Sequence, residues 1–328
     1  MLDRGQWTHV VEQAVRAPSI HNTQPWRFRA AEDRLELHLD PARALPAIDP
    51  TGRQQVVSCG VATHFAVVAL ARLGFGAMVT LLPDPADPDH LATITVTGPI
   101  TPTAEQRRLA EAVDQRHTDR SPFLDRPVPA ELIEQLQSEI GWDGVWLTTV
   151  SQEDAEAATV ALLDRVEQLE QRDPAYRAEL TAWTRTDPTA PDGVPVTALP
   201  AGDRAQRPSH WLVRDFLPDA HDHPAPAGGD EPPPVERPTV LLLGTMADDR
   251  TGWLWAGQAL GRLLLRVTVA GLAASPLTQA LDQSWARSRL SSQLSLVGYP
   301  QMLLRLGYPA TQTRPTGRRP VTEVLTVE

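Results

Sequence analysis

The sequence predicts an α+β protein built from two repeats in one chain, each of helices with a few strands, and three observations carry that expectation. The first is a spacing. "CGVATHFAVVALARLGFGAMVTLLP" around Gly60 and "AGQALGRLLLRVTVAGLAASPLTQAL" around Gly257 are apolar helical runs in which a glycine is followed fourteen residues later by another, Gly60 by Gly74 and Gly257 by Gly271. Each second glycine suits a helix C-terminus in the left-handed conformation, which a Cβ disfavours. The second is a weaker echo between "VVEQAVRAPSI" near the start and "LIEQLQSEIGW" from Leu132, each an amphipathic helix beside a turn. The third is the distribution of extended segments, "RLELHLD", "AMVTLLP" and "ATITVTG" in the first part and "GVWLTTV" and "TVLLLGTM" in the second. Two unrelated buried helices would also share small residues, but the common spacing favours the repeat. The helix pair is 197 residues apart and the echo about 122, so the second repeat carries an insertion of roughly 75 residues. The expected division is residues 1–105 and 106–328, with the insertion at about 184–238.

In chain order, "APSIHNTQPWRF" (Ala17 to Phe28) comes first. Pro18 and Pro25 stiffen a turn on which Ser19, Asn22 and Gln24 offer donors and acceptors, and the same residues would serve a capped helix end above a buried Trp26. Cys59 lies inside the first apolar helix and reads as core. In "QRHTDRSPF", Arg116, His117, Thr118 and Arg120 would form an anion pocket if they projected to one side; a solvated charged stretch uses the same letters. From Thr184 to Pro238 the chain carries twelve of its 31 prolines, so no regular helix or sheet is expected there. Such a segment is a lid or a linker, and the apolar mass of "SHWLVRDFLP" (Ser209 to Pro218) favours a lid that docks. Leu254 to Ala274 is the most apolar stretch, but Arg262 and Arg266 within it point to a buried helix and no membrane span. The C-terminal "TRPTGRRPVTEVL" sets Arg314, Arg318 and Arg319 among prolines.

Composition excludes several functions. The net charge of -11 argues against a nucleic-acid partner, because counterion release needs a basic face. All 30 basic residues are arginine. Without lysine there is no Schiff base for pyridoxal phosphate and no Walker-type phosphate loop. A single cysteine and the lack of a secretory leader pattern make the cytoplasm the expected compartment. Nine histidines show no metal-ligand spacing; His221 and His223 beside Asp219 and Asp222 read as a solvated acidic loop, so no metal is expected. No serine sits in a nucleophile elbow.

"APSIHNTQPWRF" resembles the signature turn of the flavin-dependent nitroreductase family, commonly A-P-S-x-x-N-x-Q-P-W-x-F. "RHTDRSPFLDRPVPAELIEQL" is similar to that family's arginine-rich opening and the helix after it, "GQALGRLLLRVTVAGLAASPL" to its long central helix, and "GRRPVTEVL" to its closing tail. In ordinary members the arginine segment precedes the turn in one short chain, and two chains share flavin sites at their interface. Here the turn comes first. The order resembles a fused pseudo-dimer, as in the larger, lidded actinobacterial branch called the Acg family, to which "DPTGRQQVVSCG" and the "DGVP" of the insertion are also similar.

The resemblance implies a nitroreductase-like fold of mainly antiparallel sheets flanked by helices, and one FMN per chain. It implies that Arg116, His117, Thr118 and Arg120 hold the phosphate and pyrimidine edge of FMN, and that Pro18, Ser19 and Asn22 close over it from the other repeat. Arg318, with Arg319 beside it, would complete the phosphate clamp, and the backbone amides of Thr278 and Gln279 would face the ring at N5 and O4. Two departures from the family pattern are Thr118, where serine is usual, and Thr316, where a basic residue is common. No side chain is expected to be catalytic, since the flavin carries the chemistry. The implied activity is hydride transfer from NAD(P)H to a small nitroaromatic, quinone or related acceptor by a monomeric protein; the alternative is an FMN-sequestering protein whose lid closes the site.

Overall fold

The computed structural model describes residues 2–142, 144–199, 211, 236, 238–311, 313 and 315–328. The first half opens with α1 (Arg4–Ala14), started by a capping box in which Asp3 Oδ1 accepts from the Gln6 N–H and Gln6 Oε1 accepts from the Asp3 N–H. A 3-10 turn (Ile20–Asn22) leads to β1 (Trp26–Ala31) and β2 (Arg34–Leu39), then α2 (Arg53–Arg72), β3 (Phe75–Leu81) and β4 (His90–Pro99). The second half runs through α3 (Ala104–Gln115), α4 (Ala130–Ile140), β5 (Val145–Thr149), α5 (Glu153–Glu170), α6 (Pro174–Ala182), β6 (Thr184–Arg185) and β7 (Val194–Pro195). It continues with β8 (Thr239–Thr245), α7 (Arg250–Val269), β9 (Ala273–Pro276), α8 (Gln279–Asp282), α9 (Ser284–Gln293), β10 (Tyr299–Gly307), α10 (Val321–Val324) and β11 (Leu325–Val327).

The two main sheets have the orders β11-β1-β2-β4-β3 and β5-β8-β10-β9. Leaving out β11, they correspond in strand order: β1 matches β5, β2 matches β8, β4 matches β10 and β3 matches β9, and every neighbouring pair is antiparallel. This is the expected two-repeat α+β architecture. β11 crosses over to pair in parallel with β1, Phe28 opposite Leu325, so the chain's end lies in the first sheet.

α2 and α7 pack against each other at the centre, and the repeated glycines are why they can. A Cβ on Gly60 would sit 2.5 Å from the Leu254 carbonyl oxygen, and one on Gly257 would sit 2.2 Å from that of Val57. Gly74 and Gly271 have φ of +85° and +72°, the left-handed helix ends expected of them. The 197-residue offset also relates Arg53 to Arg250. Arg53 donates to the Leu281 carbonyl and lies 3.3 Å from Asp282 Oδ1; Arg250 donates to the Pro88 carbonyl and lies 3.8 Å from Asp89 Oδ1. α2 is long and apolar enough to cross a membrane, but its residues are buried within the protein.

One expectation needs correction. The segment from Thr184 is not wholly irregular, because β6 and β7 pair in parallel through Thr184 and Val194. As the glycine spacing predicts, α7 ends at Val269 and Gly271 turns the chain into β9. The expected docking segment Ser209 to Pro218 lies outside the described residues except for Trp211, which is buried against Val150, Leu162 and Val166.

Candidate flavin cleft

The turn after α1 is held in an unusual backbone conformation. His21, Asn22 and Gln24 have φ of 45°, 55° and 52°, values that side chains disfavour and that persist only where surroundings enforce them. The enforcement comes from hydrogen bonds. Ser19 Oγ accepts from the Gln24 N–H at 2.9 Å, and the Ile20 N–H donates to Ser58 Oγ of α2 at 3.2 Å. Asn22 Nδ2 donates to the carbonyls of Gly193 and Gly317, at 3.0 and 3.2 Å. Gln24 Nε2 donates to the Pro191 carbonyl at 2.7 Å, while its Oε1 accepts from the Arg319 N–H at 2.8 Å. The turn thus ties together α2, the start of the proline-rich insertion and the C-terminal tail.

Beside this turn lie the arginines. Arg116 ends α3 and is buried; its Nη2 donates to the Arg16 carbonyl at 3.2 Å. Arg318 reaches the same carbonyl at 3.1 Å and that of Val15 at 2.8 Å, so both guanidinium groups cap the carbonyl end of α1. Burial, and then the Arg318 charge, pushes Arg116 down to about 9; burial, and then Arg16, pushes Arg318 down to about 10. Among the described residues neither pairs with a carboxylate, and Arg116 Nε is buried with no hydrogen-bond partner. A desolvated guanidinium without a counter-ion, as at Arg116, is costly, and an anion beside it would offset that cost.

A cleft runs from these arginines between the repeats. Its smaller end, about 380 Å³, is lined by Pro18, Ser19, Asn22, Arg116, His117, Thr118, Arg120, Thr316 and Arg318, together with Val194 and Pro315. Its larger part, about 800 Å³ including open solvent, shares Pro18, Ser19, Thr118 and Arg120. It adds Ile20 and His21 of the turn, Gln54, Val57, Ser58 and Val61 of α2, Leu260 and Leu264 of α7, Ser275 and Pro276 of β9, Thr278, Gln279 and Met302. The α2 set follows helical spacing, so one face of that helix forms a wall. Thr118 is held there because it bridges to Ala274, whose carbonyl accepts from the Asp119 N–H at 3.1 Å.

Ten of the eleven residues expected from sequence border this cleft: Pro18, Ser19, Asn22, Arg116, His117, Thr118, Arg120, Thr278, Gln279 and Arg318. Arg319 does not border it. Its side chain turns to Glu323 at 3.3 Å and Asp40 at 3.9 Å, where it anchors the tail. Gln279 borders the cleft, and its side-chain amide donates to Glu167 Oε2 at 2.6 Å. Sequence reasoning missed His21, Gln54 and Ser58. The last two stand at i and i+4 in "DPTGRQQVVSCG", a polar pair on one face of the helix, and that spacing was the available signal.

No family model matches the chain. Among curated proteins, Rv3131 of Mycobacterium tuberculosis, provisionally named an NAD(P)H nitroreductase, is 39% identical over 334 residues, spanning 96% of this chain and 90% of that one. Acg of the same organism, named likewise, is 34% identical over 323 residues, spanning 97% and 94%. The chain belongs to the NAD(P)H nitroreductase family. Solved structures similar to it include an FMN-bound nitroreductase from Bacteroides fragilis, with a TM-score of 0.38 and 11% identity over 64% of this chain and 94% of that one. A BluB-like flavoprotein from Clostridium difficile has a TM-score of 0.43 and 13% identity over 66% and 97%.

Proposed function

We propose that this protein binds one FMN per chain between its two repeats and uses it to pass hydride equivalents from NAD(P)H to a small nitroaromatic, quinone or related acceptor. The observation that carries the reading is that Arg116, buried with its Nε unpartnered, and the half-buried Arg318 line one end of the cleft with no carboxylate partner among the described residues. A phosphate monoester is the anion that satisfies them, and the names of the relatives and the FMN in a similar solved structure agree.

In this reading Arg116 and Arg318 neutralise the phosphate, with Arg120, Thr118 and His117 continuing the polar edge. Pro18, Ser19 and Asn22 wall the site from the first repeat. The apolar faces of α2 and α7, through Val57, Val61, Leu260 and Leu264, exclude water from the ring's surroundings. The N–H groups of Thr278 and Gln279 donate to no carbonyl among the described residues and serve as ring-edge donors. The flavin supplies two-electron chemistry at its ring nitrogen N5. Units 1–105 and 106–328 are the two halves of the site, with β11 returned to the first.

A second reading, sequestration of FMN with little turnover, is favoured by one feature. The hydrogen bonds from Asn22 and Gln24 to residues 191–193, and the pairing of Arg43 with Asp192, hold the start of the insertion against the cleft's edge. Anaerobic addition of NADPH to the purified yellow protein decides between them. Bleaching within seconds supports the oxidoreductase; persistent colour with flavin bound supports sequestration; a colourless protein that takes up no added FMN overturns both.

A further inference from the structure

We propose that Glu36, His38 and His90 form a binding site for a divalent transition metal of the Zn2+ type on the outer face of the first sheet. The site shares no residue with the flavin cleft.

Strand periodicity creates it. In β2, Leu35 and Leu37 point into the core, so Glu36 and His38, two residues apart, share the opposite face. β4 runs antiparallel beside it, with His90 as the Cα partner of His38 and Thr93 as that of Glu36; an irregularity in register falls between Leu37 and His38. The two imidazoles stack with centroids 4.4 Å apart and planes 21° from parallel. One ligand atom from each of the three side chains lies within 4.8 Å of the others, and His38 Nε2 is already 3.2 Å from Glu36 Oε2. Zn2+ takes such donors at about 2.0–2.2 Å, so tetrahedral coordination needs them about 3.3 Å apart. Binding closes that difference by side-chain rotation that opens the stack of the two rings, whose lone pairs lie in the ring planes.

The surroundings favour a ligating state. His38 Nδ1 lies 3.5 Å from Asp87 Oδ2, a carboxylate behind a ligating ring of the kind that fixes its tautomer. His90 bonds Thr93 Oγ1 at 2.9 Å, which sets its ring plane. Two cations stand near: Arg29, 4.0 Å from Glu36, and Arg27, which is already paired with Asp40. Two imidazoles and a carboxylate suit Zn2+ better than Mg2+ or Ca2+, which prefer all-oxygen sets. The site is half-buried and pins β2 to β4, so its expected effect is on the stability of the first sheet.

The test is calorimetric titration of metal-stripped, full-length protein with ZnCl2, alongside its thermal midpoint. The wild type is expected to take up Zn2+ with a rise in midpoint. The H38A/H90A variant is expected to lose that binding event, and E36Q to weaken it at least about tenfold. H221A/H223A is expected to keep it, which separates this site from other histidines. Circular dichroism and FMN uptake report whether H38A/H90A is folded. No Zn2+ uptake by the wild type, or uptake by a folded H38A/H90A variant equal to the wild type, overturns the proposal, as does equally tight binding of Mg2+.

Discussion

At the residue scale, the chemistry of the cleft rests on charges denied their usual partners. The buried Arg116 and the half-buried Arg318 share the Arg16 carbonyl, an arrangement that an anion stabilises. R116A and R318A are each expected to weaken FMN binding by about tenfold to a hundredfold, the worth of a charge-assisted hydrogen bond of roughly 1.5–3 kcal/mol. Quenching of FMN fluorescence on titration with protein measures this, and an unchanged affinity in both variants removes the phosphate assignment. Asp49 and His64 oppose each other in their effect on stability. Burial, then the Asp282 charge, pushes Asp49 up to about 6, so the folded state holds its proton more tightly than the unfolded one and stability falls as pH rises from about 4 to 6. Burial pushes His64 down to about 4, so stability falls in the other direction, as pH drops from about 6.5 to 4. D49N removes the first slope and exposes the second. Its unfolding free energy in urea is expected to exceed the wild type's at pH 7 by an amount on the order of 2 kcal/mol, and its urea midpoint to rise steadily with pH between about 4 and 6.5.

At the scale of elements, the crossing of α2 and α7 decides where the two repeats meet. Gly257 and Gly271 belong to the same helix region but do different jobs. A Cβ at Gly257 collides with the Val57 carbonyl at 2.2 Å, while one at Gly271 meets nothing within 4 Å and suffers only from its φ of +72°. G271A is therefore expected to cost about 1 kcal/mol, the conformational penalty alone, and G257A at least about 2–3 kcal/mol, since backbone must move. Urea unfolding of both variants checks the order, and equal costs would mean that the helices are free to slide apart. The glycine spacing was legible in the sequence because helical period and helix ends have strong local signatures. β10 was not anticipated; all of Pro300 to Gly307 are buried, so it lacks the alternation that marks a half-exposed strand. Its Arg305 is buried and pairs with Glu236 just before β8, where Glu236 also accepts from the Phe123 N–H at 2.6 Å. No local pattern announces an ion pair between residues so distant.

For the whole molecule, fusion of two repeats replaces a subunit interface with a covalent one. β11 reinforces this by carrying the end of the second half onto β1 of the first. We expect the purified protein to be a monomer with one FMN per chain, read by light scattering and by flavin absorbance against protein mass. A dimer, or two flavins per chain, contradicts this.

By itself the sequence determined the repeat and the class of fold, and its resemblance to a known family pointed to ten of the residues that border the cleft. The repeat is written in local spacing, because helices, turns and strands obey local sterics and periodicity. Only tertiary structure decided that Arg319 turns away to Glu323 and Asp40, that Gln54 and Ser58 join the cleft, and that Glu36, His38 and His90 meet across two strands. Those outcomes depend on which chain segments become neighbours after the sheets pair and the helices cross, and sequence separation carries no direct record of that distance.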